Sequence, residues 1–154
     1  MTAGAALLSA CGSSSLTKAD YNVKANAICR TAGSKTGPLI TRLTAAAESL
    51  MSSGGHSASP ALIGELRQLH GTAASTLAKL RALKPPTSGR IDQFLTPFAT
   101  VTAALGHATE DAGAGRLQKA LLEMEAVAPT SQRMTSAAKA AGLTACANAL
   151  AAVP

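Results

Sequence analysis

Three cysteines, three histidines and eight acids are the residues with which this chain could do chemistry, and their spacing decides which chemistry to expect. A redox dithiol needs the Cys-x-x-Cys spacing, and Cys11, Cys29 and Cys146 lie far apart, so no thioredoxin-like site is expected. Zinc needs clustered ligands. His56 sits in a Gly-Ser stretch, while His70 and His107 each stand alone on a helical pattern, the usual position of a solvated or hydrogen-bonded imidazole. Glu110-Asp111 and Glu123 with Glu125 are acid pairs, but neighbours this close in sequence point apart on a helix, so they read as surface charges. Met51, Met124 and Met134 with a histidine would suit Cu(I), yet Met124 and Met134 fall at helical apolar spacing and read as core. Gly54-Gly55 lacks the Lys-Ser/Thr of a phosphate loop. The expectation is a non-enzyme with no cofactor and no metal.

The elements that carry these residues follow from composition. Ala and Leu dominate, β-branched residues are thin, and the only aromatic rings are Tyr21, Phe94 and Phe98, a mixture that favours helix over strand. With so few large rings, helices must approach closely where small residues face each other. Thr17 and Asp20 have capping-box spacing before a stripe of Tyr21, Ala25, Ile28 and Ala32, with Cys29 beside it on the inward side. Gly37-Pro38 predicts a kink or a second helix carrying Leu39, Leu43, Ala47 and Leu50. Ser59 and Pro60 then cap the clearest amphipathic helix, with Leu62, Leu66, Leu69, Ala73, Leu77 and Leu80 on one face. Lys84 to Gly89 stops it.

Ile91, Phe94, Leu95, Phe98, Val101 and Leu105 form a third stripe, which Pro97 kinks or restarts with Thr96 as a cap. Leu117, Leu121 and Met124 form a fourth, which reaches Pro129 and resumes with Thr130 or Ser131 as a cap. Gly142 reads as a C-terminal cap before a short closing helix, Leu143 to Ala152. The expected fold is all-α, an up-down bundle of about four kinked helices over residues 17–154.

Leu8-Ser9-Ala10-Cys11, followed by Gly12-Ser13-Ser14-Ser15, resembles the lipobox of a bacterial lipoprotein. The resemblance implies that residues 1–10 are a signal peptide, that Cys11 receives a diacylglycerol, and that residues 11–16 are a flexible tether. Residues 1–10 carry no charged segment and are short for such a signal, so the true start is expected to lie upstream. With Cys11 used for lipid, Cys29 and Cys146 remain, and an oxidising compartment lets them pair; the alternative is two inert buried thiols. A disulfide joining the first helix to the last would contribute roughly 4 to 5 kcal/mol in chain-entropy terms.

Leu16 to Tyr21 with Ala25-Asn26-Ala27-Ile28-Cys29, then Arg81-Ala82-Leu83-Lys84-Pro85-Pro86, then Ala140 to Cys146 resemble a group of small secreted and membrane-anchored actinobacterial proteins. The resemblance implies a helical, disulfide-closed domain outside the cytoplasm and carries no established biochemical activity. The net charge of +6 favours anionic surroundings such as head groups or wall polymers. Its cations are dispersed and lack stacking rings, so no nucleic-acid partner is expected. The expected function is therefore a non-catalytic, lipid-anchored binding module of the cell envelope, facing an envelope protein or an anionic wall or lipid component. The alternative is a carrier of a small apolar ligand held between helices, with Leu69, Phe94, Phe98 and Met124 lining the space.

Overall fold

The computed structural model describes residues 16–54, 57–86 and 89–151. Residues 1–10, expected as a signal peptide, Cys11, nearly all of the expected tether and His56 lie outside the described residues, as do Thr87-Ser88 and Ala152. Five helices follow one another, α1 (Lys18–Ser52), α2 (Pro60–Ala82), α3 (Gly89–Gly113), α4 (Leu117–Ala141) and α5 (Thr144–Ala151). The count is five rather than about four, because the closing segment packs as a helix in its own right. Among the described residues no helix is long and apolar enough to cross a membrane.

The caps explain the boundaries. Thr17 accepts from the Asp20 backbone N–H at 3.2 Å and Ser59 from that of Leu62 at 3.2 Å, while Pro60 takes a position whose N–H would have no helical partner. Gly142 ends α4 at φ 83, a left-handed conformation, and the Leu143 N–H closes back on the Ala138 carbonyl at 2.8 Å.

Of the two outcomes that proline allowed, a kink or a restart, the restart does not occur. α1 runs through Pro38, α3 through Pro97 and α4 through Pro129 without interruption. Thr96 is therefore no cap, and Thr130 and Ser131 are mid-helix, with the Ser131 hydroxyl donating to the Val127 carbonyl. The carbonyls that each proline leaves without a helical donor belong to Ser34, Gln93 and Glu125, and all three residues are exposed. Water can satisfy them, which removes much of the penalty that proline carries in a buried helix.

The first four helices pack each against the next in up-down order. Tyr21 meets Leu80 and Arg42 meets Glu65, which sets α1 antiparallel to α2. α5 turns back between α4 and α1 and joins them. α1 meets α4 directly at the last residue of α4, where Asn22 donates to the Ala141 carbonyl, and elsewhere among the described residues α5 bridges the two. The main core lies around α5, where Tyr21, Leu80, Ile91, Phe94, Met134, Leu143 and Cys146 are the largest fully buried side chains. A second, smaller cluster of Ala108, Ala112 and Ala120 lies at the far end.

Candidate functional site

Between these two clusters the bundle is hollow. A partly enclosed cavity of about 370 Å³ takes its walls from all five helices. At about 30 Å³ per water molecule in the liquid, that is the space of roughly a dozen waters, far beyond the voids of a close-packed interior. Leu69 of α2, Phe94 and Phe98 of α3, and Met124 of α4 all stand on its wall. The two rings lie 5.7 Å apart, tilted against each other, and form one side. Sequence pattern put Ala32 on the inward stripe of α1 but did not point to the rest of that wall, Gly33, Thr36 and Ile40. Small and hydroxyl residues do not read as a binding face, although they continue the heptad spacing from Cys29.

The cavity also explains an unevenness in burial. Leu77 and Leu80 at one end of the α2 stripe and Leu62 at the other are buried, whereas Leu69 and Ala73 in the middle are only half-buried. On α4, Leu121 is 57% exposed instead of buried as its stripe suggested. It lies one turn before Met124 and two before Ala128, on the side where α4 has no α1 to meet. The mouth is therefore the gap between α1 and α4 below the end of α5.

Among the described residues no charged side chain lines the cavity. Its polar atoms are hydroxyls, each already donating to its own helix: Thr36 to Gly33, Thr72 to Gln68, Thr76 to Thr72 and Ser131 to Val127. Such a wall offers an occupant apolar contact and a few spare lone pairs, but no counter-ion.

α5 forms the remaining wall, and three devices hold it. The disulfide joins Cys29 to Cys146, 117 positions apart, and both residues line the cavity. Asn26 grips the α4–α5 turn with both ends of its amide, donating to the Gly142 carbonyl at 3.2 Å and accepting from the Ala145 N–H at 2.8 Å. Asn22 donates to the Ala141 carbonyl at 3.0 Å. Gly33 completes the seat, since a Cβ there would come within 3.1 Å of the Ala149 side chain. Neither asparagine was singled out from the sequence; each works across more than a hundred positions, with no local signal.

The remaining chemical candidates do not converge. Among the described residues no group of three or more His, Cys, Asp or Glu side chains is placed to hold a metal ion. His70 packs against Gly106 of α3, and His107 is exposed. Met134 is buried in the main core, while Met51 is 75% exposed.

The acid pairs need one correction. Asp111 is no surface charge, because its side chain is only 4% exposed. Lys119 approaches it at 2.9 Å and Arg116 also binds it, which holds its carboxyl below the usual carboxylate range. The Arg116 N–H returns to the Asp111 carbonyl at 2.8 Å, so this cluster fastens the α3–α4 turn. At the opposite end burial, reinforced by the charge of Asp92, pushes the Tyr21 phenol up to about 12.

The chain matches no known protein family, no curated protein and no solved structure.

Proposed function

We propose that this chain is a non-catalytic, membrane-anchored lipoprotein of the cell envelope whose helical bundle carries a small apolar ligand. The observation behind the ligand reading is the cavity of about 370 Å³, which has no charged residue on its wall. Its size falls within the ordinary range of small-molecule pockets. A chain stable without an occupant would gain by filling such a space with side chains, since voids of this kind weaken a core.

The anchor reading rests on Cys11 and the Gly-Ser run that follows it. That tether joins the bundle at the start of α1, so anchor and disulfide share one pole. The net charge of +6 suits residence among anionic head groups or wall polymers.

Two measurements test the two halves. Benzene, a small neutral probe, should raise the melting temperature of the oxidised full chain in a saturable way; an unchanged melting temperature at saturating benzene contradicts the ligand reading. Cys11→Ala should release the protein from the membrane fraction and abolish lipid attachment by mass spectrometry. If the variant stays membrane-bound, the anchor is wrong.

A further inference from the structure

The shape of the cavity says more about its occupant than its volume does. The wall runs from Cys29 to Ile40 along α1 and from Phe94 to Leu105 along α3, each a span of about 17 Å at about 1.5 Å per residue. A volume of about 370 Å³ spread over about 17 Å gives a mean cross-section of about 20 Å². Hydrocarbon atoms meet a protein wall at about 4 Å. A space of that length and mean width suits one polymethylene chain laid along the bundle.

We propose, building on the ligand reading above, that the cavity binds one unbranched hydrocarbon chain, the tail of a single-chain amphiphile, with its polar end at the mouth between α1 and α4. The closed end suits a methyl terminus, since Phe94, Phe98, Met134 and the Cys29–Cys146 disulfide line it and the nearby Thr76 hydroxyl already donates to the Thr72 carbonyl. The two unjoined walls carry hydroxyls. Thr36 on α1 and Ser131 on α4 spend their protons on carbonyls of their own helices, both at 3.3 Å, and keep lone pairs free to accept from an alcohol or similar neutral head. With no cation on the wall, an ionised head gains nothing inside and stays in water. Leu121 extends the apolar path outward along α4.

The test is calorimetric titration of the oxidised full chain with 1-alkanols of increasing length and with cyclododecanol. Affinity should rise about fourfold per methylene, the equivalent of about 0.8 kcal/mol, until the chain outgrows the cavity. 1-Dodecanol should exceed cyclododecanol, its equal in carbon number, by at least tenfold. Ala128→Trp, at an exposed position on the mouth, should reduce 1-dodecanol affinity at least tenfold without lowering the melting temperature. Ser131→Leu serves the same purpose if the first variant is unstable. Binding of a lysophospholipid with the same tail would support a membrane source, and binding of the alkanols alone a free pool.

Cyclododecanol binding as tightly as 1-dodecanol, or affinity flat with chain length, overturns the inference and leaves an apolar carrier standing. Failure of the alkanols, cyclododecanol and benzene alike removes the carrier reading itself.

Discussion

The two ends of this bundle are built on different principles. At the disulfide end large side chains, Tyr21, Leu80, Ile91, Phe94, Met134 and Leu143, interlock in full burial, and α5 ties α4 to α1. At the far end the buried cluster is Ala108, Ala112 and Ala120, with Ile63, Leu66 and Met124 only partly covered. Leu121, Leu122 and Met51 are exposed on the helices of that half, and no α5 joins α1 to α4 there. The cavity occupies the boundary. One end is thus closely packed and the other open, a division that under the carrier reading places the less stable elements where a ligand would enter.

If that division holds, the largest effect belongs to the disulfide. Cys29→Ser with Cys146→Ser should cost about 4 to 5 kcal/mol in denaturant unfolding. Phe94→Ala, in the packed end, should cost about 3 to 5 kcal/mol, whereas Leu66→Ala in the open end should cost about 1 kcal/mol. Equal costs at both positions would erase the contrast. Gly142→Ala should cost about 2 kcal/mol by denaturant unfolding, because φ 83 strains any side chain and its Cβ would stand 2.7 Å from Asn22 Nδ2. Asn26→Ala should cost a similar amount, about 2 kcal/mol for two hydrogen bonds at the same turn.

Titration separates the ends by sign. In the unfolded chain Tyr21 ionises near pH 10, but in the fold only near 12, so the unfolded state loses its proton first and stability drains between those values. The loss should reach about 2 kcal/mol by pH 12 and start with exchange at the disulfide end. Asp111 acts oppositely. Its lowered carboxyl contributes stability above its ordinary range near pH 4, and that contribution is lost as pH falls further, loosening the α3–α4 turn first. Hydrogen exchange across pH should resolve the two patterns, and Tyr21→Phe and Asp111→Asn should each abolish one of them.

Much of the closed end, and the start of α2 at the open end, could be read from local signals. Cysteine count placed Cys29 opposite Cys146, Ser59-Pro60 opened α2, and Gly142 ended α4, because each acts within a few residues or through simple arithmetic. Proline left restart and continuation both open, since its effect depends on whether the freed carbonyl reaches water, and Ser34, Gln93 and Glu125 are exposed. The α2, α3 and α4 walls of the cavity were legible as apolar stripes containing Leu69, Phe94, Phe98 and Met124. The α1 wall beyond Ala32 and the two asparagine ties were not. Gly33 and Thr36 matter for what they leave empty, and Asn22 and Asn26 for partners far along the chain. The burial of Asp111 depends on Arg116 and Lys119 folding back over it, which no pairwise spacing announces.

The central claim, that the junction of the two ends is an open, apolar and accessible space, is tested most directly by crystals of the oxidised full chain pressurised with xenon. The account predicts ordered xenon between α1 and α4, against Phe98, Val101 and Met124 and below the Cys29–Cys146 bridge. A bundle that excludes xenon, with Ile40, Leu69 and Met124 collapsed onto one another, would contradict it.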